Sequence, residues 1–137
     1  MALTHLIDTS VFTRLRVPAV RDVVQGLAGE GRLGRASITD LEVGYSARNA
    51  IEWDDFMSSL DELGLVEISP RHFVRARQVQ RLLASVSQRG RKVPDLLVAA
   101  AAEDRGLVLL HYDTDFDRIA GVTGQRCQWV VPAGSVA

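Results

Sequence analysis

The sequence predicts an α/β protein, a three-layer α/β/α sandwich with a mainly parallel central sheet. Three observations carry this. Short apolar segments with strand character recur along the chain, separated by longer stretches of helical spacing. Val108-Leu109-Leu110-His111 is a continuous strand pattern of the kind covered on both faces in parallel sheets. The third is Val93 to Ala102, a run of helix formers that is apolar on every side and carries a single charge, Asp95, in its first turn. A helix without a polar face belongs in a core.

The elements follow in order. Leu3 to Ile7 reads as a first strand that ends in the polar turn Asp8-Thr9-Ser10. Val11 to Arg16 is a short helix stopped before Pro18, and Val20, Val23, Val24 and Leu27 mark an amphipathic helix over 19–28. Gly29, Gly31 and Gly34 break that pattern, so the second strand is expected at 36–38, with Thr39 opening a helix that runs to about Arg48. Ile51, Phe56, Leu60 and Leu63 form one side of a further helix, with Gly64 as its stop and a short strand over 65–68. Ser69 and Pro70 then start a long helix, about 71–87, with Phe73, Ala76, Val79, Leu83 and Val86 inward and Gly90 as its close. The apolar helix runs to Gly106, residues 112–117 form a polar loop or helix start, and Gln128 to Val131 is the last strand.

A chain of 137 residues without repeats or linkers is expected to form a single domain over residues 1–137. Its 47% hydrophobic and 24% charged residues are ordinary for a soluble protein. Cys127 is the one cysteine, which excludes an intrachain disulfide and a thiolate metal cluster and fits the cytoplasm. No signal peptide is read at the start, and the longest apolar run is far short of a bilayer span. Without a glycine-rich phosphate cradle, no nucleotide cofactor is expected.

Function is read from the acids. In open parallel sheets the ligand crevice lies beyond the carboxyl ends of the strands. Asp8 follows the first strand, Glu42 comes just after the second, and Asp113 follows the strand ending at His111. Topology therefore places three acids at one rim, and Asp95, at the edge of the core, must find donors, cations or a metal. Each acid also has a local explanation. Asp8 can satisfy turn amides, Thr39 and Glu42 fit a capping box, Asp95 suits a helix start, and Asp115 and Asp117 can form a solvated face. If the carboxylates meet, a hard divalent cation is the economical inference, because like charges at one point are unfavourable without one. Thr9 and Ser10 are placed to orient them.

Arg71, Arg75, Arg77, Arg81, Arg89, Arg91 and Lys92 occur with no intervening acid between Pro70 and Val93, on a chain whose net charge is -1. That positive stretch suits a phosphodiester backbone, or equally a solvated helix face. The histidines, His5, His72 and His111, form no recognisable acid–base pair.

Taken together, Leu6-Ile7-Asp8-Thr9-Ser10, Ile38-Thr39-Asp40-Leu41-Glu42, Val93-Pro94-Asp95-Leu96-Leu97-Val98-Ala99-Ala100 and 110–120, Leu110 to Ala120, resemble a PIN-domain ribonuclease, and more narrowly a VapC-type toxin of a type II toxin–antitoxin system. The resemblance covers nearly the whole chain. It implies a PIN-like sandwich, with Asp8, Glu42, Asp95 and Asp113 as catalytic and metal-holding acids and Asp115 as a fifth ligand. It also implies Mg2+- or Mn2+-dependent endonucleolytic cleavage of RNA, a homodimer, and neutralisation by a cognate VapB-type antitoxin whose tail occupies the groove. The competing readings are a magnesium-dependent phosphatase or phosphotransferase with Asp8 as nucleophile, and a non-catalytic binding module of the same fold. The first of these wants an Asp two residues after the nucleophile, where this chain has Ser10.

Overall fold

A computed structural model describes residues 2–88 and 92–137. The expected Gly90 stop, Arg89 and Arg91 lie outside the described residues. The elements are β1 His5–Ile7, α1 Thr9–Phe12, α2 Pro18–Gly29, β2 Leu33–Ala36, α3 Ser37–Tyr45, α4 Ala50–Asp61, β3 Gly64–Val66, α5 Pro70–Ser85, α6 Val93–Arg105, β4 Val108–His111, α7 Asp115–Thr123 and β5 Cys127–Trp129. The strands form one sheet in the order β3-β2-β1-β4-β5, and every pairing is parallel. The predicted α/β/α architecture is therefore the observed one.

Strand alternation divides the interior. Leu6 and Leu109 face a cluster built with α5, α6 and α7, whereas the next residues, Ile7 and Leu110, face a cluster built with α2. This is the two-residue period of a pleated strand covered on both sides. α6 is buried from Asp95 through Ala102, as its lack of a polar face requires. It ends at Gly106, whose φ of 65° is the left-handed conformation that glycine adopts at a helix stop.

Several boundaries differ from expectation. The second strand is 33–36, not 36–38, and Gly34 lies inside it instead of breaking the chain. The reason is close packing: a Cβ on Gly34 would stand 2.8 Å from Leu3 Cδ1 and 3.0 Å from the carbonyl oxygen of Gly64 on the neighbouring strand. Gly64 likewise begins β3 instead of merely ending α4. The segment expected as a loop or helix start near 115 is a full helix, α7. Phe73, Val86 and Ile51, expected inward, are 56%, 53% and 76% exposed. The buried stripe of α5 is instead His72, Ala76, Val79 and Leu83. No helix among the described residues is long and apolar enough to cross a membrane.

The contact at Gly34 yields a stability prediction. Gly34→Ala forces β2 and β3 apart, since one of the two obstructing atoms is backbone, and should cost about 1–3 kcal/mol of overpacking strain. Urea unfolding at fixed pH measures it; a variant as stable as the parent would show that the sheet has slack at this point.

Candidate metal centre

The carboxyl ends of β1, β2 and β4 are neighbours in the sheet, and the segments leaving them build one cleft of about 650 Å³. Asp8, Glu42, Asp95 and Asp113 all line it. Asp8 is the first residue beyond β1 and caps α1, its Oδ2 accepting from the Ser10 amide at 2.9 Å. Glu42 lies on α3 and accepts a hydrogen bond from the Thr9 hydroxyl at 3.1 Å. Asp95 comes from the first turn of α6. Asp113 follows β4, and its Oδ1 accepts from the Asp115 amide at 2.9 Å.

The local explanations fare differently. Asp8 does satisfy a turn amide, yet its other oxygen, Oδ1, is buried with no hydrogen-bond partner. The capping box at Thr39 is absent: α3 starts at Ser37 after Ala36, Thr39 is fully buried, and Glu42 reaches Thr9 instead. Ser10 uses its hydroxyl to accept from the Tyr112 amide at 2.9 Å, tying the ends of β1 and β4 together. Asp117 is exposed and accepts from the Trp129 indole N–H at 3.0 Å.

Carboxylate oxygens of Asp95, Asp113 and Asp115 lie within 4.8 Å of one another. Asp115 also pairs with Arg118 at 3.2 Å, so part of its charge is already met. Asp8 and Glu42 stand outside this tightest trio but act on it electrostatically. Burial first, and then the charges of Asp8, Asp113, Glu42 and Asp115, push Asp95 up to about 8. Burial raises Asp8, against the Ser10 hydrogen bonds that lower it. Burial and then the Asp8 charge raise Glu42, against its bond to Thr9. Asp95 Oδ2 is buried and unpartnered, as is Asp8 Oδ1. An all-oxygen donor set with unpartnered carboxylate oxygens fits a hard divalent cation. Asp95, Asp113 and Asp115 bring carboxylate oxygens close enough together to share one ion, and Asp8 and Glu42 line the same cleft.

Two members of the basic stretch are engaged by acids of α6. Arg71 pairs with Asp104 at 2.8 Å and Arg75 with Glu103 at 2.7 Å, at the far end of α6, roughly 12–14 Å along the helix from Asp95. Buried His72 shares Asp104 at 3.0 Å and serves in the capping box of α5. Among the described members of the stretch, Lys92 lines the cleft, where its charge lowers Glu42.

Sequence reasoning missed the opposite character of the remaining wall. Arg14, Tyr112, Trp129, Ala133, Gly134, Val136 and Ala137 also border the cleft. Tyr112 and Trp129 obey the same rule that located the acids, standing at the carboxyl ends of β4 and β5. Arg14 and the last residues carried no comparable signal.

The raised acids set a pH dependence. In the unfolded chain Asp95 ionises near the ordinary aspartate value of 3.8, whereas the native fold retains the proton up to about pH 8. The native state therefore binds more protons across that interval, and the stability of the metal-free protein falls as pH rises from about 4 to about 8. Asp8 and Glu42 act with the same sign. Thermal melts in chelator should show this fall, and Asp95→Asn should flatten it, with its largest relative gain near pH 8. Adding Mg2+ or Mn2+ at pH 8 should raise the parent melting temperature by mass action, and raise that of the variant less. Identical profiles for the two proteins would remove the buried charge from the account.

Comparison with known proteins agrees with this architecture. The sequence profile of the PIN domain family matches residues 5–122. Ribonuclease VapC51 of Mycobacterium tuberculosis is 60% identical over 99% of both chains. Ribonuclease VapC21 of the same species is 39% identical over 98% of this chain and 99% of its own. Among solved structures, DNA-bound VapBC from Salmonella typhimurium superposes with a TM-score of 0.74 at 20% identity, covering 94% of this chain and 99% of that one. VapBC2 from Rickettsia felis, bound to a promoter fragment, gives 0.76 at 15% identity over 94% and 99%. Family profile, close relatives and fold converge, and the chain belongs to the PIN-domain family as one of its VapC-type members.

Proposed function

We propose that this chain is the toxin of a toxin–antitoxin pair, a single PIN domain over residues 1–137 that cleaves RNA endonucleolytically with Mg2+ or Mn2+. The observation that carries the reading is the convergence of Asp8, Glu42, Asp95 and Asp113 on one cleft, with one buried oxygen each of Asp8 and Asp95 that no described group satisfies. The VapC ribonucleases among its relatives support it.

Asp8, Asp95, Glu42, Asp113 and Asp115 would hold the cation, and the first four are the catalytic residues. When bound, the ion supplies Lewis-acid stabilisation of charge on the scissile phosphate and lowers the pKa of attacking water. The chain's own groups do the rest. Thr9 keeps the Glu42 carboxylate turned to the cleft, where it can position a water and take its proton. The Asp115 amide fixes Asp113 in the same way. Lys92 offers the incoming phosphodiester a positive charge at the rim.

The partner in this reading is a cognate VapB-type antitoxin, supported by the VapBC complexes among the structural neighbours. Its tail occupies the groove, where an arginine would answer the same charge demand as the cation. The toxin acts as a homodimer in the cytoplasm. The phosphotransferase reading is disfavoured because Asp8 Oδ2 is held by the Ser10 amide and the residue two places on is Ser10, not an acid.

The test is RNA cleavage by purified protein with Mg2+, with Mn2+ and with chelator, beside Asp95→Asn. Cleavage should need the cation, and the variant should lose about 100-fold or more, as expected when several kcal/mol of transition-state stabilisation depend on the ion. Undiminished cutting in chelator would overturn the mechanism.

A further inference from the structure

The carboxylates occupy only part of the cleft, and its size is that of a pocket for a small-molecule-sized group beyond an ion and a phosphate. The remaining wall differs in chemistry. It combines a guanidinium, the half-buried Trp129 indole and a backbone segment, set over the buried ring of Tyr112, the kinds of group that accept a nucleoside through stacking, shape and a few hydrogen bonds. We propose that Arg14, Trp129, Ala133, Gly134, Val136 and Ala137, braced by Tyr112, form the subsite that seats the nucleotide next to the scissile phosphate and so decide which RNA sequence is cut. The inference rests on the ribonuclease reading above and adds the determinant of its specificity.

Arg14 is the central group. It stands beside a cluster of acids yet pairs with no described Asp or Glu side chain, unlike Arg35, Arg71 and Arg75, which all do. Its guanidinium is fixed by other means. Nη1 donates to the Ser10 carbonyl at 2.6 Å and more weakly to the Thr13 hydroxyl at 3.4 Å, Nε donates to the main-chain oxygen of Ala137 at 3.0 Å, and Cζ lies 4.6 Å from the centroid of the Tyr112 ring. Nη2 makes no hydrogen bond to a described residue. A planar cation restrained at the edge of a cleft, with donors to spare, is a platform for a base or the clamp of a flanking phosphate.

Tyr112 shapes the wall behind it. Its hydroxyl donates to the Val136 carbonyl at 2.8 Å and accepts from the Val136 amide at 3.1 Å, which fastens the last residues across the cleft. Both capacities of that hydroxyl are thereby used, so Tyr112 is a positioning residue and not a proton donor to substrate. Trp129 packs edge-on against Tyr112 at 5.2 Å, with its indole N–H held by Asp117. The wall is preorganised: ring, cation and backbone segment each restrain the next.

The experiment is cleavage of a panel of single-stranded RNA oligonucleotides that differ only in the bases flanking the cut, by the parent, Arg14→Ala, Arg14→Lys and Tyr112→Phe. The parent should favour particular flanking bases. Arg14→Ala should lower kcat/KM on the preferred sequence by about ten-fold, mainly through KM, as loss of a stacked contact implies. Arg14→Lys keeps the charge and the stem, so it guards against a folding defect, and should recover little of the preference because the plane is lost. Tyr112→Phe keeps the ring but frees the 133–137 segment, and should narrow the gap between good and poor sequences. Direct binding of a fluorescein-labelled oligonucleotide of the preferred sequence to Asp95→Asn protein, with and without Arg14→Ala, should weaken to a similar degree. A base preference identical in all four proteins overturns the subsite while leaving the ribonuclease reading intact. Loss of antitoxin affinity with an unchanged preference would give this wall to the protein partner and overturn it too. A parent that cuts no RNA with either metal removes both.

Discussion

Asp95 enters the edge of the core on the first turn of a helix with no polar face, and its carboxylate shares one cleft with those of Asp8, Glu42 and Asp113. Burial and like charge both oppose its ionisation, which is why its proton is held to about pH 8. The rest of the site answers this conflict. Hydrogen bonds from Ser10 and Thr9 ease Asp8 and Glu42, Arg118 takes up part of Asp115, and Lys92 stands at the rim. None of them reaches the buried Oδ1 of Asp8 or Oδ2 of Asp95. The same uncompensated negative charge that makes the pocket costly is what the proposed divalent cation would answer.

The sheet makes this conflict possible. Parallel strands deliver every carboxyl end to one side, and the order β3-β2-β1-β4-β5 puts the ends of β2, β1 and β4 in a row. α6 supplies the core layer beneath one face through its buried run and the site through its first turn. Stability and chemistry thus share a helix, so the position of Asp95 is set by the packing of Leu96 to Ala102. Ser10 joins the two central strand ends by accepting from Tyr112, which keeps Asp8 and Asp113 facing a common space.

Charge elsewhere is organised to leave that space distinct. The arginines at the start of α5 are engaged by Glu103 and Asp104, and the nearly buried Arg35 by Asp40 and Asp61. The first two arginines of the positive run thus fasten α5 to the end of α6 remote from Asp95. Arg14, which no charge pattern singles out, is instead fixed by carbonyls and a tyrosine ring on the cleft wall.

Much of the fold was legible because local chemistry marks the element: short apolar runs for β1 and β4, an all-round apolar surface for α6, a glycine at its end. The placement of three acids was legible too, since Asp8 and Asp113 follow strands and Asp95 opens a helix at a rim that parallel topology defines, whereas Glu42 reaches that rim from the second turn of α3. Periodicity erred on Phe73, Val86 and Ile51 because it finds a stripe without its width, and neighbours decide how much is covered. Gly34 was misread as a breaker because its reason for being glycine is an atom on another strand. The amino-acid order by itself determined which groups carry charge, which segments are apolar, and on which side of each element they fall. Only the tertiary structure decided that Glu42 answers to Thr9, that Arg71 and Arg75 are engaged while Arg14 lines the cleft, and that Asp95 is pushed far from its usual range. Those outcomes depend on distance and burial through space, which residues remote along the chain acquire only when the sheet assembles them.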